Sequence, residues 1–133
     1  MKAVIISILF AAFFGFSALY AQEARDTIVI DAAKDSTEYQ LIIIDPGFES
    51  WLVTQPPISF HSKQYYRTWN LRYVNEWNNL YRSGRYPQYV ESYVDYDPNA
   101  DYDIELNYKL YWYFRYFEKK YGITLVQRGG RLS

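Results

Sequence analysis

Large apolar side chains recur every three or four residues in HSKQYYRTWNLRYVNEWNNLYRSG, which runs from position 61 to position 84. Residues at this spacing share one face of an α-helix, so the segment predicts a long helix with an aromatic face. The members of that face are Tyr66, Trp69, Tyr73, Trp77 and Leu80. Ser62 suits the N-cap, and Gly84 suits the left-handed position just beyond the helix. A chain with such a face has to bury it against another element.

A second segment, YDIELNYKLYWYFRYFEKKYGITL, repeats the helical spacing. Leu110, Phe114 and Phe117 fall on one face. Gly122 again suits the left-handed position after the last turn. We expect this helix to begin near Ile104 and to pack against the first. The predicted centre of the core consists of Trp69, Tyr73, Trp77, Phe114 and Phe117.

Two runs rich in β-branched residues, TIVID from Thr27 and EYQLIIID from Glu38, predict two strands paired as a hairpin. The second run contains four consecutive apolar residues, so we expect it to be central and covered on both faces. After it, DPGFESWLVTQPP predicts a helix of two or three turns that begins near Pro46. Asp45 suits its N-cap, and the paired prolines forbid its continuation.

Together these elements predict one α+β domain. A small two- or three-stranded sheet packs against two long aromatic-rich helices and one short helix. The third strand would be ITLV, from Ile123 to Val126. Between the long helices, YPQYVESYVDY fits either a short helix or an extended segment. The final QRGGRLS is predicted to fray.

The first residues, MKAVIISILFAAFFGFSALYAQ, have the layout of a secretory signal peptide. Lys2 precedes a long apolar run that ends in small residues at Ala18 and Ala21. We expect residues 1–21 to be a signal peptide cleaved after Ala21, with a cut after Ala18 as an alternative. Residues 22–133 would then form an exported domain, periplasmic or secreted. If the apolar run of about 19 residues stayed uncleaved, it would anchor the chain in a membrane.

The amino-acid composition limits the kinds of partner that this chain is expected to bind. The chain has no cysteine, so its stability depends on packing and not on disulfides. Its formal net charge of −1 gives no overall basic field, so we expect no nucleic-acid partner. Opposite charges are nevertheless grouped, with five cations from Lys63 to Arg85 and six carboxylates from Glu91 to Glu105. We expect the two blocks to complement each other within the fold, with a partner surface as the alternative.

Three blocks, YQLIIIDPGFESWL, FHSKQYYRTWNLRYVNEWN and YDIELNYKLYWYFRYFEKKYGITL, resemble in sequence and order a family of small exported bacterial proteins, the domain of unknown function DUF6146. The resemblance covers nearly all of the chain after residue 21. It implies lipid anchoring for many members, whereas this chain has no cysteine to carry a lipid. It supplies no catalytic or binding residues.

The acidic stretch DYDPNADYDIE, at positions 95 to 105, spaces its carboxylates and amide as calcium loops do. The candidate ligands are Asp95, Asp97, Asn99 and Asp101. Counted from Asp95, however, the sixth residue is Ala100 and not glycine, and the twelfth is Leu106 and not glutamate. We therefore expect Asp101 or Asp103 to cap the second long helix, with a calcium-binding module as the alternative.

Asp45 and Glu49 lie one helical turn apart at a strand end, a common place for sites in α/β proteins. They are candidates for the acid and base of an envelope carbohydrate-active enzyme. We expect them instead to serve the start of the short helix. His61 is the only histidine, which excludes a zinc site built from several histidines, and no cofactor is expected.

Aromatic residues off the two helical faces are candidates for a binding surface. These are Tyr86, Tyr89, Tyr93, Tyr96 and Trp112. Because the sequence contains no catalytic motif, we expect a non-catalytic extracytoplasmic binding or assembly module. Its expected partner is an envelope protein, with a glycan as the second choice. The carbohydrate-active enzyme and the calcium-binding module are the alternatives.

Overall fold

The computed structural model describes residues 27–32 and 39–129. The elements, in chain order, are β1 (Thr27–Ala32), β2 (Tyr39–Ile44), α1 (Phe48–Leu52), a 3₁₀ turn (Ile58–Phe60), α2 (Lys63–Ser83) and α3 (Ile104–Tyr121). The two strands form an antiparallel sheet. The predicted α+β class, with two long helices and one short one, is confirmed. The predicted signal peptide lies outside the described residues.

Both long helices begin and end at residues that satisfy their free backbone groups. The Ser62 hydroxyl accepts the backbone N–H three residues further on, over 3.0 Å, at the start of α2. Asp103 does the same at the start of α3, over 2.8 Å. Gly84 and Gly122 end the helices in the left-handed conformation, with φ of 69° and 66°. The predicted ends of α2 and α3 are confirmed. They could be predicted from sequence because capping depends on residues close in the chain.

The core lies between the facing sides of α2 and α3. Tyr73 and Trp77 of α2 are fully buried, as are Phe114 and Phe117 of α3. The Trp77 ring meets the Phe117 ring edge-on at 4.8 Å, and the Tyr73 ring stacks on Phe114 at 5.2 Å. Trp69, also predicted for the centre, is only half-buried at the edge of the core. That part of the prediction is wrong: one side of the Trp69 ring faces the guanidinium of Arg128, at 3.7 Å, instead of the centre of the core.

The hairpin packs one face on the helices and leaves the other open. Ile28 is buried, whereas its neighbour Val29 is 41% exposed, the alternation expected for a sheet with one covered face. The prediction that β2 is central is wrong. In the described part of the chain β2 pairs only with β1, and Ile44 is 40% exposed. Residues 123–126, the suggested third strand, form no strand among the described residues.

Helix α1 is shorter than the two or three turns predicted. Gly47 occupies the N-cap, and Asp45 lies two residues earlier, where its Oδ1 accepts the Gly47 N–H over 2.9 Å. The helix ends at Leu52, and Val53 is its C-cap. The N–H and the hydroxyl of Thr54, the next residue, both donate to the Trp51 carbonyl. Among the helices of the described residues, none is both long and apolar enough to cross a membrane.

Candidate functional site

Two of the predicted surface aromatics lie near the end of α2. Tyr93 is 50% exposed, and its ring meets edge-on, at 6.4 Å, the ring of Tyr81, which is 42% exposed. Tyr86 is half-buried, with the Arg85 guanidinium over its ring at 5.3 Å. The tyrosine surface is the name used here for Tyr81, Arg82, Arg85, Tyr86 and Tyr93.

The other three predicted aromatics pack elsewhere. Tyr89 stacks on Tyr121 of α3, with ring centroids 4.2 Å apart. Tyr96 is only 7% exposed, and its hydroxyl donates to Asn107 Oδ1 over 2.7 Å, so it belongs to the core and not to a surface. Burial raises the pKa of Tyr96 to about 12. Trp112 is half-buried and packs edge-on against the tryptophan of α1.

The candidate calcium ligands have other contacts or face solvent. Asp97 Oδ1 accepts the Asn99 N–H over 2.9 Å within a turn. Asp101 pairs with Lys63 over 2.6 Å, and this hydrogen bond and charge hold the pKa of Asp101 below its usual range. Asp103, and not Asp101, caps α3. All four candidates are exposed: Asp95, Asp97, Asn99 and Asp101. In the described ranges, no three His, Cys, Asp or Glu side chains are grouped so that they could hold a metal ion.

The basic block contacts the acidic one at a single end. Lys63 pairs with Asp101, and Arg67 donates to two backbone carbonyls of the same loop. The pair of Lys63 with Asp101 confirms that the blocks complement each other at this end. Arg82 and Arg85, at the opposite end of α2, have no carboxylate partner among the described residues.

Asp45 and Glu49 contact different turns of α3. The buried Asp45 carboxylate accepts the Tyr116 hydroxyl over 3.1 Å and pairs with Lys120 over 3.1 Å. Burial, assisted by the charge of Asp45, raises the pKa of Tyr116. Glu49 is exposed and pairs with Lys109 at 3.8 Å. Asp45 thus fastens the end of β2 to α3, while Glu49 remains at the surface.

The path of residues 122–129, the C-terminal segment, was not predicted. Glu118 of α3 holds it in place, because Oε2 accepts the backbone N–H groups of Leu125 and Val126 over 2.8 and 3.2 Å. The other oxygen, Oε1, accepts the Tyr73 hydroxyl over 3.1 Å. Leu125 and Val126 are buried. The segment therefore lies over the helices and is part of the core's cover.

Arg128, within the tail predicted to fray, is fixed by aromatic residues. Its guanidinium lies over the Trp69 ring at 3.7 Å. It also donates to the hydroxyls of Tyr73 and Tyr65 over 3.4 and 3.2 Å. Arg115 of α3 reaches the same Tyr73 hydroxyl over 3.5 Å. The prediction of fraying is wrong at Arg128 because stacking and hydrogen bonds hold it.

An open cleft of about 660 Å³ lies beside these arginines. It is called the arginine cleft below. Its main lining residues are Trp69, Arg115, Glu118, Thr124, Gln127 and Arg128. A neighbouring cleft of about 510 Å³ shares Thr124 and Gln127 and is lined from α2 by Arg72 and Glu76. No local sequence pattern could have revealed the arginine cleft, since its residues come from three separate parts of the chain.

Charge and burial alter the titration of groups around Arg128. Burial alone would lower the pKa of Arg128, but the hydrogen bond with Tyr73 and the neighbouring tyrosines raise it overall. The pKa of Tyr73 is raised by burial, with a contribution from the Glu118 charge. Burial, followed by the charge of Arg128, lowers the pKa of His61. The guanidinium is therefore a permanent cation at the cleft.

Fold and surfaces together define a small α+β domain that presents arginine and aromatic side chains to solvent. The chain belongs to DUF6146, a family of unknown function, whose family model matches residues 3–129. Comparison with curated proteins and with solved structures gives no match.

Proposed function

We propose that this chain is a non-catalytic extracytoplasmic binding or assembly module whose partner is a protein of the cell envelope. The observation that carries the proposal is the exposed Tyr81 and Tyr93 pair. Arg82 in the last turn of α2 and Arg85 just after the helix are exposed as well. Tyrosine and arginine are enriched at protein interfaces and supply many of their strongest contacts.

The tyrosine surface is suited to binding at low entropic cost. Tyr81 belongs to the long helix α2, and a tyrosine side chain has few rotatable bonds to immobilise. Arg82 and Arg85 retain charge for a partner, because neither pairs with a carboxylate among the described residues. A partner that combines an apolar contact with acidic side chains fits this surface best.

The contacts of Asp45 and Glu49 favour binding over carbohydrate hydrolysis. Asp45 is engaged with Gly47, Tyr116 and Lys120 in the link between β2 and α3. A retaining or inverting glycosidase needs two carboxyl groups that face the same sugar. Here Glu49 instead pairs with Lys109 at the surface.

The direct test is capture of the partner from envelope extract by the tagged protein, followed by measurement of stoichiometry. Wild type should retain one protein in a fixed ratio, and the double variant Tyr81→Ser with Tyr93→Ser should lose it. Phe60→Ser is the matched control, because Phe60 is 62% exposed but lies outside the tyrosine surface. Equal capture by the double variant would refute the assigned surface.

Export is tested separately by N-terminal sequencing of the protein recovered outside the cytoplasm. A mature chain that begins at Gln22 supports the proposed signal peptide. An intact Met1 in a membrane fraction would contradict cleavage and favour an anchor.

A further inference from the structure

We propose that the arginine cleft is a second binding site, which holds the carboxylate group of a small ligand between the guanidinium groups of Arg115 and Arg128. This inference rests on a different part of the molecule from the tyrosine surface. It does not depend on a protein partner.

The two guanidinium groups converge at one point. Each has a nitrogen within hydrogen-bonding distance of the Tyr73 hydroxyl, at 3.5 Å for Arg115 and 3.4 Å for Arg128. Groups that reach the same hydroxyl are close enough for one carboxylate to bond to both. Both residues also line the arginine cleft, so a ligand in the cleft can reach them from solvent.

Neither arginine has its hydrogen-bonding capacity filled by the described residues. A guanidinium carries five N–H donors, and Arg128 directs two contacts to tyrosine hydroxyls and none to a carboxylate. Glu118, the one carboxylate among the described residues that line the cleft, is 3.8 Å from Arg115. Its oxygens already accept the Tyr73 hydroxyl and two backbone N–H groups of the C-terminal segment.

Charge favours a carboxylate over a phosphate. Among the described residues that line the arginine cleft, two guanidinium cations and the Glu118 carboxylate give a net charge of +1. A single carboxylate neutralises that charge, whereas a phosphate dianion would leave an excess negative charge. Planar guanidinium groups also match the geometry of a carboxylate.

The other residues of the cleft indicate which chemical groups the ligand carries next to its carboxylate. Thr124 and Gln127 are exposed at the cleft and offer a hydroxyl and an amide. We therefore expect a ligand with a hydroxyl or amide next to its carboxylate. Trp69 already holds the Arg128 side chain by stacking at 3.7 Å. Binding of a ligand therefore costs little additional conformational entropy at Arg128.

The test is a titration of the ¹⁵N-labelled protein with sodium glycolate, a hydroxycarboxylate, monitored through the arginine Nε–Hε signals. The signals of Arg115 and Arg128 should shift and saturate with glycolate, and should not with sodium chloride at equal ionic strength. Loss of one charge-assisted contact in Arg115→Gln should weaken binding by about ten-fold or more. Arg128→Gln provides a second variant on the other side of the site.

Arg72→Gln is the matched control, because Arg72 contacts the same Trp69 ring at 4.7 Å but lines the neighbouring cleft. Its affinity for glycolate should equal that of the wild type. Equal weakening by Arg72→Gln, or equal shifts with chloride, would show general charge screening and overturn the site. Tighter binding of inorganic phosphate than of glycolate would overturn the carboxylate assignment.

Discussion

Asn70 of α2 donates hydrogen bonds to Asn107 of α3 inside a largely apolar helix interface. Asn70 Nδ2 donates to the backbone oxygen of Asn107 over 2.9 Å and to its Oδ1 over 3.1 Å. Asn107 Oδ1 also accepts the Tyr96 hydroxyl over 2.7 Å. Both amides are buried, so this network favours one alignment of the two helices over alternatives that would leave Asn70 Nδ2 and the Tyr96 hydroxyl unpaired.

Replacing Asn107 with leucine should destabilise the protein by about 1–3 kcal/mol, because the buried Tyr96 hydroxyl would lose its acceptor. Urea denaturation measures this change. Asn75→Leu is the control on an exposed position of α2, where we expect a change within about 0.5 kcal/mol. Similar effects for both variants would contradict a structural role for the network.

Replacing Phe114 with alanine should cost about 3–5 kcal/mol, because its ring is fully buried between Tyr73 and Trp77 and its loss leaves a cavity. The denaturation midpoint is the measurement. Phe60→Ala removes an equal ring that is 62% exposed and should change little. An unchanged midpoint for Phe114→Ala would show that the core is wrongly placed.

Asp103→Ala should destabilise the protein by about 0.5–2 kcal/mol, because it removes the acceptor for the Leu106 N–H at the start of α3. Asp101→Ala, which removes only an exposed pair with Lys63, should have a much smaller effect. Neither result should depend on calcium. Thermal melts with calcium and with chelator provide the check.

A calcium site would give the opposite outcome in those melts. Calcium at a hundred times its dissociation constant would stabilise the wild type by about 2.7 kcal/mol. Loss of that stabilisation in Asp101→Ala would then assign the ion to the acidic stretch.

The pKa of His61 should lie below its ordinary value of 6.5, because burial and then the charge of Arg128 disfavour the protonated ring. As the pH falls through 6.5, the unfolded chain binds a proton at His61 before the folded chain does. The free energy of unfolding is therefore highest above pH 6.5 as far as His61 is concerned, and it declines as the pH falls toward the lower pKa of the folded chain. NMR titration of the imidazole C–H signals measures the shift. The groups in contact with the ring include Tyr65, Tyr66 and Tyr111.

Arg128→Gln should raise the pKa of His61 only part of the way toward its ordinary value. Burial, the larger cause of the lowered pKa, remains in that variant. Arg82→Gln, at the other end of α2, should leave it unchanged. If Arg128→Gln had no effect, the charge of Arg128 would not act on His61.

Asp45→Ala should destabilise the protein by about 1.5–3 kcal/mol, because Tyr116 and Lys120 would lose a buried charged acceptor. Glu49→Ala should change stability far less, since Glu49 is exposed and its pair with Lys109 is long. Urea denaturation measures both. Hydrolysis of an envelope glycan that disappears in both Asp45→Asn and Glu49→Gln would instead support the enzyme alternative.

The sequence by itself determined α2 and α3 and their ends. The repeat of apolar residues that includes Tyr73 and Trp77 fits only a helix, and Ser62 and Gly122 act on backbone groups within a few residues of themselves. It also indicated the hairpin and the attraction between the basic and acidic blocks, which the structure shows at Lys63 and Asp101. These features follow from interactions between residues close in the chain or from grouped charge.

Only the tertiary structure decided that β2 has an open face, that Trp69 lies at the edge of the core, and that Arg128 returns to cover it. The meeting of Arg115 and Arg128 at Tyr73 was decided in the same way. Such contacts join residues from separate elements, and their formation depends on how loops direct the chain and on which buried groups still need partners. An apolar run such as the one in β2 shows that the segment is hydrophobic. It does not show whether a neighbouring element covers one face of the strand or both.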